Sequence, residues 1–420
     1  MSGRRSSGAG GYRWAVLAAG TAGATAYSAV LLGPPVLAPT LQDEFGLTLT
    51  EVGITLASVW IGPIFTLLLW GLAADRFGER WSLTAGLAVM GLLVAAVAAV
   101  DDFVALVLLL ALASAAGSSV NSASGRAVMQ WFPAEERGFA LGLRQASLPL
   151  GGALAAVTLP LIVDATSLDG AFVSLSVVCF AAAVAGSLVI RDRPGATTRV
   201  EAAPWTLRDR RLWVLSGGSG LYLMAQIAMA GFLVLFLHDA RGLSNGEAAA
   251  VLAVAQIFAI GLRIAAGRWS DRAGTRVRPL RLVGLAIFAG VVLTVLLVDA
   301  PLAVLVPAVV AATALSMTWN GLSYTAAAEL AGSARSGAAI GFQQTTLSVV
   351  GFLAAPLFAS LVDASSWRMG FAVWATAPLA GWWLLGQLAP EHGRDRRQRE
   401  PSLREVGLTR GQPLQRQPRK

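Results

Sequence analysis

The chain has 420 residues, of which 55% are hydrophobic and only 13% are charged. A soluble domain carries about 25% charged residues, so this composition excludes a water-surrounded globule and makes lipid the expected solvent. The net charge of +8 raises the question of nucleic acid, but the basic residues gather in particular loops and in the tail, which is a topology pattern.

Residues 1–11 are small and polar and are expected to be disordered. No cleavable signal peptide is read there, because the first apolar run is too long for one and lacks an A-x-A site. Apolar runs follow near 13–38, 51–74, 80–100, 103–130, 137–163, 170–190, 212–238, 246–270, 280–299, 301–330, 336–362 and 367–389. A helix needs about 20 residues to cross the hydrocarbon. Backbone groups in lipid must be satisfied within the segment, which favours helices over strands. The predicted fold is an all-α membrane protein with twelve transmembrane helices in two pseudo-symmetric six-helix bundles.

The loops alternate in charge. The N-terminus, Asp75–Arg80, Pro133–Arg137, Arg191–Arg211, Asp271–Arg281, Ser333–Arg335 and the tail are rich in arginine, and the loops between them are not. Basic loops stay cytoplasmic, so both termini are expected inside an inner (cytoplasmic) membrane. The predicted bundles are 12–190 and 212–389, joined by a cytoplasmic linker at 191–211. A basic, disordered tail at 390–420 is expected to touch anionic lipid heads and to bind no nucleic acid. The single cysteine, Cys179, is read as a small buried hydrophobe.

Two stretches repeat. Gly71-Leu-Ala-Ala-Asp75-Arg76-Phe-Gly78-Glu-Arg80 and Gly267-Arg-Trp-Ser-Asp271-Arg272-Ala-Gly274-Thr-Arg276 both read G-x-x-x-D-R-x-G-x-R, 196 residues apart. Farther on, Ala140-Leu-Gly-Leu-Arg144-Gln145-Ala-Ser147-Leu matches Ala339-Ile-Gly-Phe-Gln343-Gln344-Thr-Thr-Leu347 at an offset of 199, which also carries Asn121 onto Asn320. Six spans per half leave both halves in one orientation, the parallel repeat that transporters rock about a central site.

With these turns and this plan, the chain resembles the major facilitator superfamily of secondary transporters over residues 12–390. The resemblance implies alternating access, often driven by protons, with Asp75 helping to hold the cytoplasmic side shut and Asp271 as its pseudo-symmetric equivalent. The predicted gate comprises Gly71, Asp75, Arg76, Gly78, Gly267, Asp271, Arg272 and Gly274. The physical reading agrees, since a carboxylate at the negative end of a helix needs a partner, which a state-dependent contact would supply. Arg80 and Arg276 are read as topology signals. Ser147-Leu-Pro149-Leu-Gly151-Gly152 partly resembles the antiporter signature G-P-x-x-G-G, one residue short and with Ser147 in place of the leading glycine. A bent helix with small packing residues is the simpler account.

Arg126, Arg144 and Arg263 stand inside predicted spans, roughly 8–10 Å from their cytoplasmic ends at 1.5 Å per residue. Such arginines are costly and face a water-filled cavity or a partner. Ser118, Ser119, Ser122 and Arg126 fall on one helical face. Gln145, Gln343, Gln344, Asn121, Asn320, Gln226, Gln256, Tyr27 and Tyr324 complete the candidate cavity. Glu329 is the sole acid near a span interior. Arginines without acids suit an anion, held by guanidinium forks.

The expected function is therefore proton-coupled secondary transport of a small organic or inorganic anion by a monomer. Proton-coupled export of a drug-like compound is the alternative, and a sensor built on the same fold is a third reading. His238 falls in an outer loop and His392 in the tail, and no cofactor, metal site or nucleotide-binding loop is predicted.

Overall fold

A computed structural model describes residues 6–133, 136, 140, 143–191, 208–332 and 335–388, without the side chains of residues 6–10, Leu68, Asp75, Arg126 and Met129. Most of the predicted linker and the whole tail from 390 lie outside the described residues. The described residues contain helices and no strand. In chain order the first seven are α1 Ser6–Phe45, α2 Leu49–Phe77, α3 Glu79–Val97, α4 Phe103–Gly117, α5 Ser119–Trp131, α6 Ser147–Ala165 and α7 Leu168–Val189. Besides a three-residue helical turn at Leu233–Leu235, seven more follow: α8 Arg210–Gln226, α9 Asn245–Ala273, α10 Val277–Leu297, α11 Leu302–Ser316, α12 Trp319–Ala331, α13 Ser336–Ala364 and α14 Trp367–Gly386. Eleven helical stretches are long and apolar enough to cross a membrane. The twelfth expected span, α14, forms a 20-residue helix but is not among those eleven. Large apolar side chains such as Phe65, Leu188 and Leu296 point outward, as a lipid solvent requires.

Three expectations need correction. Helix α1 begins at Ser6, where disorder through residue 11 was expected. Its start is pinned because the Tyr12 hydroxyl donates to the Val189 carbonyl at 2.5 Å and Arg13 pairs with Glu136 at 3.1 Å. The run 103–130 is two helices divided at Ser118, and 301–330 is two divided at Met317 and Thr318. The run 212–238 leaves α-helical geometry after Gln226, with π turns at Ile227–Gly231 and Phe236–Ala240. One carbonyl in that irregular stretch, Met229, accepts from the Thr313 hydroxyl at 3.3 Å.

Local chemistry repeats with the sequence. Thr48 with Glu51 caps α2, and Ser244 with Glu247 caps α9 in the same reciprocal box, 196 residues on. Gly78 and Gly274 end those helices at φ 91° and 63°, a region that glycine enters freely. At an offset of 199, Thr166 and Ser365 end α6 and α13 with nearly the same angles, and Ser167 and Ser366 cap α7 and α14. The breaks at Ser118 and Met317 are also 199 apart.

Helices α1–α7 pack among themselves, as do α8–α14, and the two sets meet chiefly where α2 lies on α13 and α6 on α9. One end of this interface is tightly closed. There the Thr50 hydroxyl donates to Asp363 at 3.1 Å and to Ser360 at 3.4 Å, and the Asn245 amide donates to Thr40 at 3.3 Å. A Cβ at Gly53 would lie 2.6 Å from the Ala359 Cβ, and midway along the same two helices one at Gly351 would lie 2.4 Å from the Trp60 ring. Small residues here let the two sets approach as closely as backbone allows. At the opposite end, which carries the two charged turns, a Cβ at Gly71 or Gly267 would meet nothing within 4 Å.

Candidate functional site

Two guanidinium groups converge on Gln145 between the sets. Arg144, just before α6, donates through Nη1 to the Ser124 hydroxyl at 3.2 Å and through Nη2 to Gln145 Oε1 at 3.0 Å. Its Nε is buried and has no acceptor. Arg263, on α9, donates through Nε to the Met317 carbonyl at 2.7 Å and through Nη1 to the Gln145 carbonyl at 3.1 Å. Its Nη2 is buried without an acceptor. Arg263 lies about 15 Å from the end of its helix at 1.5 Å per residue, deeper than the sequence implied, because α9 runs on to Ala273.

Tyr324 on α12 donates to Gln344 Oε1 at 2.6 Å and lies within electrostatic range of both guanidiniums and of Tyr27. Tyr27 itself is buried on α1. Arg144, Gln145, Arg263, Tyr324, Gln344 and Tyr27 therefore converge from both sets. Neither Arg144 nor Arg263 has a carboxylate partner among the described residues.

Other predicted site residues go elsewhere. Gln343 is fully buried inside the C-terminal set, donating to Ser323 and, at 3.5 Å, to Ser219. Asn320 donates to Gln226 at 3.3 Å, and both are buried in that set. Asn121 is half-buried on α5. The Arg126 side chain is outside the described ones. The serine stripe leading to it is interrupted by the break at Ser118. Ser118 meets Thr66 at 2.8 Å and Ser122 donates to the Leu67 carbonyl at 3.4 Å, so both turn toward α2.

Of the gate residues, the Asp75 side chain is likewise outside the described ones. The Arg76 guanidinium lies over Phe77 at 5.4 Å, and Arg272 is exposed. Arg276, expected only to mark topology, is instead the hub of the second turn. It pairs with Asp271 at 2.5 Å and with Glu329 at 2.9 Å, and donates to Ser270 at 3.0 Å. Partial burial works against its charge, but the hydrogen bonds to Asp271 and Glu329 outweigh that and hold it above the ordinary arginine pKa. In the first turn Glu79 is buried and accepts from Gln130 at 2.6 Å.

Sequence reasoning missed Ser124, Ser219 and Ser323, and it missed the two carbonyls that Arg263 holds. The serines were within reach, because the 199-residue register aligns Ser124 with Ser323. The carbonyls carry no side-chain signal. Gly151 packs on the α1 backbone and Gly152 on Gln256 and Leu32, so the partial antiporter signature serves close packing here. Among the described residues no cluster of histidine, cysteine and acids is suited to a metal ion.

The family model for the Major Facilitator Superfamily matches residues 15–355. A protein described as an uncharacterized MFS-type transporter, from Mycobacterium tuberculosis strain H37Rv, is 32% identical over 94% of this chain and 89% of its own length. The probable sulfoacetate transporter SauU of Cupriavidus necator is 26% identical over 78% of this chain and 82% of its own. Among solved structures, a bacterial homolog of the human lysosomal transporter Spinster, in an inward-facing and occupied conformation, superposes with a TM-score of 0.69 at 15% identity. That match covers 90% of this chain and 96% of the other.

Proposed function

The chain belongs to the Major Facilitator Superfamily, and from that premise we propose that it carries a small organic or inorganic anion by alternating access, coupled to protons. It is a multi-pass membrane transporter and not an enzyme. In this reading twelve helical spans cross a cytoplasmic membrane with both termini inside. Residues 12–190 and 212–389 rock as two bodies, and Asp75 and Asp271 serve the cytoplasmic gate.

The observation that carries the reading is the pair Arg144 and Arg263. Each lies in a helical span, has no described carboxylate beside it, and keeps one buried N–H without an acceptor. A half-buried cation with no anion beside it and a buried unmade hydrogen bond are both costly. A carboxylate, sulfonate or similar oxyanion between them removes both costs and gains charge-assisted bonds. The substrate in the name of the Cupriavidus relative, an acid with two anionic groups, belongs to this chemical class. With no carboxylate in the described cluster, the coupling proton travels with the anion.

Purified protein in proteoliposomes should take up sulfoacetate, and uptake should rise when the side of entry is made acidic. Arg144→Gln should lower uptake by at least about a hundredfold, the loss of one charge-assisted site, with unchanged elution and helix content. Normal uptake by that variant would remove Arg144 from the site. No binding of any small carboxylate, sulfonate or nitrate by the parent protein would end the anion reading.

A further inference from the structure

The two helix breaks are satisfied by different chemistry. At the first, the Ala115 carbonyl accepts from Thr66 at 3.0 Å and from the Trp70 indole at 2.8 Å, both neutral donors on α2. At the second, the Met317 carbonyl accepts from Arg263 on α9. A freed carbonyl in a membrane interior must be satisfied, and the first break shows that neutral donors suffice. The charge of Arg263 therefore serves something beyond capping a broken helix.

Its Nη1 crosses to the other set and bonds the Gln145 carbonyl. That carbonyl is available for a local reason. Its helical partner would be the N–H four residues on, and that residue is Pro149, which has none. The other inter-set side-chain hydrogen bonds seen among the described residues, at Thr50 and Asn245, lie at the far end of the bundle. Among the described residues, Arg263 to Gln145 is thus the inter-set hydrogen bond made at the candidate site itself.

The fork geometry of arginine makes this bond compete with substrate. Nη2 is the free donor, and bidentate capture of an anion uses Nη2 with either Nη1 or Nε. Nη1 carries a second N–H, so an anion need not take the one that holds Gln145, but drawing the guanidinium toward an anion strains one of the two carbonyl bonds. Met317 belongs to a broken helix that is otherwise buried, whereas Gln145 is half-buried between the sets where water can replace the donor.

We propose that Arg263 ties the two sets through the Gln145 carbonyl that Pro149 leaves without a helical donor, and that a bound anion draws the guanidinium to itself and releases the tie. The proposal rests on the anion reading above and adds how occupancy reaches the interface. It also assigns Pro149 a role. Pro149→Ala restores a helical donor to Gln145 and weakens the tie while leaving every charge in place.

The test uses the full chain carrying Cys179→Ser, with spin labels at Leu72→Cys and Ala273→Cys, both exposed near the turn end, and sulfoacetate as the probe. Without ligand, Arg263→Gln and Pro149→Ala should each depopulate the main distance peak by roughly tenfold, the worth of one charged hydrogen bond. Sulfoacetate should drive the parent to the same distribution. By calorimetry Pro149→Ala should bind sulfoacetate several times more tightly, because competition is relieved, and Arg263→Gln at least about tenfold more weakly. A purely structural proline would not raise affinity.

Unchanged ligand-free distances in both variants overturn the tie, even where sulfoacetate still binds. Shifted distances in a protein that binds no sulfoacetate keep the tie but overturn its release by anion, together with the reading it rests on. If Arg263→Gln does not fold, Arg263→Lys, which keeps the charge but not the fork, should give an intermediate shift.

Discussion

Arg144 in the N-terminal set and Gln343 in the C-terminal set occupy equivalent places and reach equivalent serines, Ser124 and Ser323. Beside those serines stand Gly20 and Ser219, again 199 residues apart. In the C-terminal set Ser219, Ser323 and Gln343 form a buried, neutral hydrogen-bonded group in which the Gln343 Oε1 lacks a donor. In the N-terminal set the glycine contributes no hydroxyl and the amide is replaced by a guanidinium with an unmet N–H. The charged turns diverge in the same manner. Buried Glu79 takes the Gln130 amide in one, and Arg276 takes Glu329, the equivalent of Gln130, in the other. One scaffold is kept twice, and charge is distributed over it unequally, so the scaffold positions and the unequal residues distinguish.

That comparison can be broken at several strengths. The largest effect is expected from making the C-terminal set resemble the N-terminal one. Gln343→Arg places a guanidinium in a fully buried pocket with no acid, and should cost on the order of 3–5 kcal/mol, read as a large fall in thermal midpoint and yield. A tolerated Gln343→Arg would mean that this interior is wetter than its packing indicates.

Next comes the contrast between the two ends. Gly53→Ala drives a Cβ into Ala359 and into backbone at Ala355 and Pro356. It should disfavour this arrangement by roughly 1–3 kcal/mol, seen as altered labelling of an exposed cysteine at the turn end. Gly71→Ala meets open space and should leave the distribution as it is.

A smaller change, below about 1 kcal/mol, is expected from Arg276→Gln, because its partners are largely exposed and screened by salt. Equal effects in low and high salt would argue against an electrostatic role. Finally, Thr48→Ala and Ser244→Ala should each cost about 1 kcal/mol, with equal midpoints. Unequal losses would show that the shared caps carry different loads.

Much of this was legible in the residues. The charged turns, the 199-residue register and the scarcity of charge pointed to a duplicated helical membrane protein, because hydrophobic length and loop charge are local properties that lipid reads directly. The convergence of Arg144, Gln145 and Arg263 was half visible, since a buried arginine is conspicuous in an apolar run. The burial of Gln343 was not, although it is the exact counterpart of Arg144 by alignment. An amide and a guanidinium at matching positions look alike in a pattern, and only the surrounding serines decide whether one is used up in packing.

The sequence by itself determined the helical membrane fold, its repeat and the charged residues that have no acid to pair with. Tertiary structure alone decided where helices break, that Arg276 gathers Asp271 and Glu329, and that Arg263 spends two N–H groups on carbonyls of different helices. The reason is physical: hydrophobicity and capping act within a few residues of one another, whereas a backbone acceptor or an empty space beside a glycine is defined by whatever another helix brings to it.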